Sequence, residues 1–211
     1  MKSCKHLRGI VSLVLSCTLG IAHAQATTPL AGPALGIAVR SLDTKVPYTS
    51  SVSSINGQTS RNTETDVSLV GSWGQVLSDQ WVAMVGISYA PGKTDMGRIN
   101  YTSGGAQNFT AQTKDHIALF MAPGYRIQPQ AVLYGKLAYH RLTADYRDTA
   151  TDASSRTFTG SGLGLGLAYA LGRNLELRAE YEAVRYKSEL INLTTGKPGQ
   201  DILSGSLLYK F

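Results

Sequence analysis

The chain has 211 residues, of which 43% are hydrophobic and 16% charged, with a formal net charge of +6 and a mean hydropathy of -0.08. These values exclude a helical membrane protein, because a membrane-spanning helix needs about 20 consecutive apolar residues and only the extreme N-terminus approaches that length. They also exclude a disordered chain, since Val, Ile, Leu and Tyr occur along the whole length. The abundance of Gly, Ser, Thr and Tyr favours one all-β domain.

Residues 1–24 have the features of a secretory signal peptide. Lys2, Lys5 and Arg8 precede an apolar stretch, and a small-x-small cleavage site ends it at residues 22–24. Cleavage there removes three cations, no anion and both cysteines, which lowers the formal charge from +6 to +3. The mature chain then has no disulfide or cysteine metal ligand, and nucleic acid is not an expected partner. The alternative to cleavage after residue 24 is lipoprotein processing at Cys17.

Beyond residue 33 the sequence alternates apolar and polar-or-small residues, which is the period of a β-strand with two different faces. In residues 175–183, for example, Glu176, Arg178, Glu180 and Glu182 share one face. A helical period would scatter these charges around the cylinder. Eight strands are predicted in this way, over residues 34–42, 66–75, 81–90, 115–125, 131–142, 162–169, 175–183 and 202–211.

The connections between these strands alternate in length. Short turns are predicted at residues 76–80, 126–130 and 170–174. Long loops rich in Ser, Thr, Asn and Gly are predicted at residues 43–65, 91–114, 143–156 and 187–200. Short periplasmic turns and long extracellular loops are typical of a transmembrane β-barrel. We therefore predict an all-β, eight-stranded, antiparallel up-and-down transmembrane β-barrel over residues 34–211, preceded by a short periplasmic segment at residues 25–33.

A soluble β-barrel shows the same alternation, so the charges on the non-apolar face decide between the two classes. Four cations and four carboxylates beside Gly and Ala fit a lumen enclosed by a lipid-facing exterior. Buried charges persist only when paired, so a luminal salt-bridge network is predicted. It comprises Arg40, Asp66, Lys136, Glu176, Arg178, Glu180, Glu182 and Lys210. Because side chains fill a barrel of this size, we expect the network to be a plug, with a gate or ion path as the alternative.

Aromatic residues of the apolar face lie near both ends of the predicted strands, as in the interfacial girdles of outer-membrane barrels. The predicted girdle comprises Trp73, Trp81, Tyr89, Tyr125, Tyr139, Tyr169 and Tyr181.

The C-terminus has outward residues at alternate positions, Leu207, Tyr209 and Phe211, and ends on an aromatic residue. This pattern resembles the assembly signal of bacterial outer-membrane proteins, which implies recognition by the barrel assembly machinery. Through this signal and residues 121–127, 132–135 and 180–182, the chain resembles the small Ail/OmpX-like, opacity-type and OmpA transmembrane barrels. The resemblance implies a place in the bacterial outer membrane, with outer-membrane lipids and lipopolysaccharide as partners.

No catalytic, cofactor or metal site is predicted. His116 and His140, which remain after cleavage, lie on inward faces, and two isolated histidines make a poor metal site. A lipid A deacylase of this barrel size would present a His/Ser/Glu site to the lipid, and the residues after His140 do not match that pattern. The glycine-rich segment at residues 160–164 is interpreted as packing, because its period is that of a strand.

The long loops are the best candidates for function, because loops on a rigid scaffold commonly bind ligands. In or beside them lie Arg61, Lys93, Arg98, Lys114, Arg141, Arg147, Arg156, Arg185, Lys187 and Lys197. Such cations bind lipopolysaccharide phosphates through charge-assisted hydrogen bonds. The expected function is therefore non-enzymatic surface interaction, in adhesion, serum resistance or lipopolysaccharide contact, with a host surface ligand as a further partner. A lipid A-modifying enzyme and a narrow ion-conducting barrel are the alternatives.

Overall fold

The computed structural model describes residues 29–51, 53–102, 106–148, 154–191 and 194–211. The predicted signal peptide, residues 1–24, and residues 25–28 of the predicted periplasmic segment lie outside them. None of the described residues forms a helix that is long and apolar enough to cross a membrane.

Antiparallel β-strands make up almost all of the described chain. They are β1 (Gly32–Ser50), β2 (Thr59–Val76), β3 (Trp81–Ala90), β4 (Asp95–Thr102), β5 (Ala106–Gln128), β6 (Ala131–Asp148), β7 (Ser154–Ala170), β8 (Leu175–Tyr186), β9 (Glu189–Ile191), β10 (Thr194–Gly196) and β11 (Gly199–Lys210). Eight of these close into a ring, β1-β2-β3-β5-β6-β7-β8-β11, because β11 pairs with β1. β4 pairs with β5, and the β9–β10 hairpin pairs with β1. The predicted all-β, eight-stranded antiparallel fold is confirmed.

The ring has its apolar face outward. On β7, the alternate residues Leu163 and Leu165 are each 66% exposed, whereas the intervening Gly162 and Gly164 face the interior. Leu35, Ile37 and Val39 make the same outward row on β1. Water does not stabilise a continuous belt of exposed Leu, Ile and Val, but lipid does. The exterior is therefore the lipid-facing surface, which separates this ring from a soluble barrel.

The strands run further toward the long-loop end than the sequence indicates. Parts of the predicted loops 43–65, 91–114, 143–156 and 187–200 are strand, because they contain the ends of β1, β2, β5, β6, β7 and β11 as well as β4, β9 and β10. The outward side chains of these extensions face water and are mostly polar, with Leu190 and Pro47 as exceptions. The composition of these strand extensions therefore resembles that of a loop. Every second residue nevertheless still points into the interior.

Two apolar clusters fill the two ends of the lumen. The lower cluster, toward the short turns, comprises Leu30, Ala34, Ala38, Val70, Val82, Met84, Phe120, Ala122, Val132, Tyr134, Ala138, Ala168 and Leu208. The upper cluster, inside the strand extensions, comprises Leu42, Val46, Tyr48, Ile55, Met96, Ile99, Tyr101, Phe109, Ala111, Leu142, Ala144, Tyr146, Phe158, Val184, Tyr186 and Ile202. The predicted charges lie between and beside these clusters, so apolar packing shares the lumen with the polar network.

The chain preceding β1 enters the lower end of the lumen. Leu30 is 1% exposed, has a positive φ of 64°, and donates its backbone N–H to Glu176 Oε2 at 2.7 Å. A Cβ atom at Gly74 would contact the Leu30 carbonyl oxygen, so only glycine permits this approach. Leu30 therefore closes the barrel at the short-turn end.

We expect Leu165→Arg to lower the free energy of unfolding in phospholipid vesicles by about 2–4 kcal/mol, because it puts a cation near the centre of the lipid-facing belt. Thr157→Arg is the matched control on the same strand, since Thr157 is exposed beyond the apolar belt. We expect the control to cost about 0–1 kcal/mol. Urea unfolding followed by tryptophan fluorescence measures both, and equal losses would contradict the lipid-facing assignment.

Candidate functional site

The polar network centres on Lys136, whose Nζ atom lies 2.7 Å from Glu180 Oε2 and 3.0 Å from Glu182 Oε2. The Tyr134 hydroxyl donates a hydrogen bond to Glu180 Oε1 at 2.6 Å. Lys136 also lies over the Phe120 ring, 4.9 Å from its centroid. Alternation along each strand puts Tyr134 and Lys136 on the inward face of β6, and Glu180 and Glu182 on that of β8.

These side chains meet across β7, which lies between their strands. Gly164 pairs with Lys136 on one side and Glu182 on the other, and Gly166 pairs with Tyr134 and Glu180 in the same way. A Cβ atom at Gly166 would contact the Tyr134 ring. The glycine face of β7 therefore leaves the room that the ion pairs occupy, which is the physical reason for the packing interpretation of this segment.

A directional relay runs from Arg40 to Glu182. Arg40 Nε donates to Asp66 Oδ1 at 2.7 Å, and Arg40 Nη1 lies 3.3 Å from His116 Nδ1. His116 Nε2 lies 2.9 Å from His140 Nδ1, and His140 Nε2 lies 2.7 Å from Glu182 Oε1. Because a guanidinium only donates, His116 Nδ1 must accept. His116 therefore donates from Nε2 to His140, which donates from Nε2 to Glu182, and both imidazoles are neutral.

The other three predicted network residues form a second group beside the lower cluster. Arg178 Nε donates to Glu176 Oε1 at 2.6 Å, and Lys210 Nζ lies 3.9 Å from Glu176 Oε2. Arg178 Nη2 donates to Ser72 Oγ at 3.0 Å. This group has two cations for one carboxylate, whereas the group around Lys136 has two cations for three carboxylates. The structure thus buries seven of the eight predicted charges and leaves Asp66 partly exposed, and it divides the eight into two groups of opposite formal charge.

The sequence interpretation of His116 and His140 as isolated residues is wrong, because their rings touch within the relay. Tyr186 and Gln200 were also missed. The Tyr186 hydroxyl lies 3.2 Å from His116 Nε2 and donates to Gln200 Oε1 at 2.8 Å. The strand register would have indicated these contacts. His140 and Tyr186 both pair with Gly160, just as Lys136 and Glu182 both pair with Gly164, so each glycine lets the two flanking side chains meet.

The relay is enclosed by protein. A cavity of about 20 Å³ beside Lys136 and His140 has room for one water molecule, and the otherwise unpartnered Ser68 Oγ lines it. Above the relay, the upper cluster stacks Phe109 on Tyr146, with ring centroids 5.4 Å apart. Burial raises the pKa of the Tyr146 hydroxyl above its ordinary value, so it remains protonated. Within the described chain no group of three or more His, Cys, Asp or Glu side chains is arranged to hold a metal ion.

The predicted outward residues are all exposed on the lipid-facing surface. The exposed fraction of the predicted girdle is between 36% for Tyr89 and 53% for Tyr139. Trp81 packs edge-on against Tyr125 near the short turns, with ring centroids 5.3 Å apart. At the C-terminus, Leu207, Tyr209 and Phe211 point outward and are 46%, 50% and 72% exposed.

The predicted loop cations are exposed, and most of them lie on strands. Strand residues among them are Arg61 on β2, Arg98 on β4, Lys114 on β5, Arg141 and Arg147 on β6, Arg156 on β7 and Arg185 on β8. Lys93, Lys187 and Lys197 lie in the short connections between strands. These cations therefore project from a rigid framework at the long-loop end.

We expect Lys136→Met to lower the free energy of unfolding by about 3–5 kcal/mol, because it leaves Glu180 and Glu182 buried without their shared cation. Lys136→Met combined with Glu180→Gln and Glu182→Gln removes the uncompensated charge and should recover part of the loss. Lys114→Met, at an exposed position, is the control and should stay within about 0.5 kcal/mol. Equal midpoints of urea unfolding for all variants would contradict the network.

The relay also makes a spectroscopic prediction. In ¹⁵N NMR spectra of the folded barrel near neutral pH, His116 and His140 should both be protonated at Nε2 and unprotonated at Nδ1. This follows from the donor-only guanidinium of Arg40. A proton on Nδ1 of either ring would overturn the assigned direction.

Comparison with known protein families gives a match over nearly the whole chain. A family model described as outer membrane protein beta-barrel domain matches residues 12–211. A search of curated protein sequences found no match.

Several solved structures are similar to this chain at low identity. Ail, the attachment invasion locus protein of Yersinia pestis, aligns at 16% identity and a TM-score of 0.45, over 84% of this chain and 99% of that one. Neisserial surface protein A aligns at 17% identity and a TM-score of 0.46, over 84% and 99%. The outer membrane protease OmpT from Escherichia coli aligns at 9% identity and a TM-score of 0.49, over 90% and 99%. On the strength of the family match, the chain belongs to the outer membrane protein β-barrel domain family, which is a family of the bacterial outer membrane.

Proposed function

We propose that this protein is a non-enzymatic outer-membrane barrel that acts through its exposed surface, by contact with lipopolysaccharide and with ligands outside the cell. The observation that carries the proposal is the contrast between its interior and its long-loop end. The described lumen is occupied by two apolar clusters and a paired charge network. The long-loop end instead presents cations to the outside on extended strands.

The proposal includes the route to the membrane and the orientation there. Residues 1–24 direct export to the periplasm and are removed, and Leu207, Tyr209 and Phe211 are presented to the barrel assembly machinery. The short turns then face the periplasm, and the strand extensions face the cell exterior. The outward exposure of the three C-terminal residues supports this proposal, because a receptor reads only accessible side chains.

The strand extensions suit a binding platform, because they have a core of their own. Tyr48 packs edge-on against Phe109, with ring centroids 5.6 Å apart, and Ile55 from the β1–β2 connection joins the same cluster. Apolar packing of this kind holds the extensions rigid beyond the membrane. Rigid presentation lowers the entropic cost of binding a ligand.

Burial of the relay argues against the enzyme alternative. His140 and Glu182 have the types and spacing of a general base and its orienting group, but their relative exposures are 1% and 4%. A lipid substrate approaches from the outside, whereas the side chains of His140 and Glu182 lie in the interior of the ring. Mass spectrometry of lipid A from cells with and without the gene tests this alternative, and an unaltered profile is expected.

We expect no steady ion conductance when the purified barrel is inserted into planar lipid bilayers, because paired charges and apolar side chains occupy the lumen. Glu182→Gln should also remain closed, although it removes a charge from the network. The inserted protein is verified by a heat-modifiable gel shift, since a compact barrel resists detergent until boiled. Stable single-channel steps in the wild type would contradict the proposed function and favour the ion-conducting alternative.

Surface interaction is tested by replacing residues 51–58 and residues 189–196 with Gly-Ser turns and measuring adhesion of bacteria to host cells and survival in serum. We expect the two replacements together to reduce at least one of these properties, because they remove the β1–β2 connection and the β9–β10 hairpin. Replacement of residues 77–80, a short turn at the other end, is the matched control. Unchanged adhesion and serum survival would count against the proposed function.

A further inference from the structure

A cluster of cations lies on one side of the ring, where β1, β8 and β11 meet. It consists of Lys45, Arg185, Lys187 and Lys197, which we call the basic notch. Arg185 and Lys197 line both of two adjoining surface hollows at this point, with volumes of about 300 and 720 Å³. Lys45 lines the smaller hollow, and Lys187 lines the larger one.

Register puts the basic notch at the edge of the lipid-facing belt. Lys45, Gly199, Arg185, Ser161 and Tyr139 form one continuous row of pairs across β1, β11, β8, β7 and β6. Tyr139 is an outward aromatic residue, 53% exposed, and it lines the larger hollow. Tyrosines of this kind lie at the level of lipid headgroups. Because Tyr139 lines the same hollow as Arg185, Lys187 and Lys197, these three cations lie close to that level.

The space within the basic notch comes from Gly199. This residue pairs with both Lys45 and Arg185, so it separates the two cations without placing a side chain between them. Pro47 and Pro198 also line the smaller hollow. Proline fixes its backbone φ angle, so the walls of the hollow are held in place before a ligand arrives.

Carboxylates neutralise only part of this charge. Lys45 Nζ lies 3.1 Å from Asp43 Oδ2 and 3.6 Å from Asp201 Oδ2, and Arg185 Nη1 lies 3.4 Å from Asp201 Oδ1. Asp201 thus draws Lys45 and Arg185 toward the same side of the hollow. Among the described residues no carboxylate oxygen lies within 4.0 Å of the other two lysines.

We infer that the basic notch is a binding site for a phosphate group carried by an outer-leaflet lipid headgroup. Four cations against two carboxylates leave an excess of two positive charges at headgroup level. The Arg185 side chain is 62% exposed, and its Nη1 atom donates to the Val184 carbonyl oxygen at 2.9 Å, so the remaining guanidinium donors are the ones that can contact a phosphate. Lys187 and Lys197 provide further charge-assisted donors at the rim. The inference rests on the proposed function, because it locates the lipopolysaccharide contact at particular residues.

The test compares two triple variants of the folded, full-length barrel in zwitterionic detergent. The notch variant is Arg185→Gln/Lys187→Gln/Lys197→Gln, and the control is Lys93→Gln/Arg98→Gln/Lys114→Gln. Both remove three exposed cations, and the control acts around β4 and β5, on the opposite side of the ring. The probes are bis-phosphorylated lipid A, the same lipid without phosphates, and inorganic phosphate, each titrated by native mass spectrometry.

We expect the notch variant to bind bis-phosphorylated lipid A about tenfold more weakly than the wild type, and the control to stay within about twofold. Lipid A without phosphates should bind the wild type weakly. Its affinity should be similar to that of bis-phosphorylated lipid A for the notch variant. Equal losses in both variants, no loss in either, or equally tight binding of inorganic phosphate would overturn the inference.

Two further measurements keep the outcome interpretable. A heat-modifiable gel shift verifies that each variant is folded, and Lys187→Gln alone replaces the triple variant if the latter does not fold. The adhesion and serum assays are run on the same variants. If the notch variant loses lipid A affinity but keeps adhesion, the basic notch is supported independently of the adhesion assay. If the notch variant keeps both lipid A affinity and adhesion, the assignment of the basic notch is wrong, but the proposed function is not contradicted.

Discussion

The ion pairs that Lys136 makes with Glu180 and Glu182 are the contact on which the barrel interior depends. They span β7 at its glycine face, and they tie β6 to β8 across an intervening strand. A charge removed from water is stabilised only by partners of opposite charge and by hydrogen bonds. The relay through His140 and the Tyr134 hydroxyl supply those hydrogen bonds, so the network specifies how three strands align.

Apolar clusters above and below separate this network from solvent. The upper cluster lies inside strands that extend beyond the lipid-facing belt, and Leu30 closes the opposite end. Each polar contact therefore operates where water competes little, which strengthens it and raises the cost of breaking it.

The exterior follows a different constraint from the interior. Its belt of Leu, Ile and Val is set by lipid, and the belt ends where aromatic side chains give way to charged ones. The basic notch lies at that boundary, where Tyr139 lines one hollow together with Arg185, Lys187 and Lys197. The family of the protein and its apolar exterior agree on a barrel whose outer surface contacts lipid, and the proposed phosphate contact extends that lipid contact to the headgroups.

The sequence by itself determined the closed antiparallel ring, the outward apolar face and the inward position of the eight predicted charges, because alternation with period two is a local property that the printed residues carry. Tertiary structure alone decided which charges meet, since Lys136 and Glu182 are 46 positions apart and become neighbours only through the register of β6, β7 and β8. The same reason explains the relay through His116 and His140. The extent of the extended strands was also missed, because their outward faces meet water and have the composition of loops.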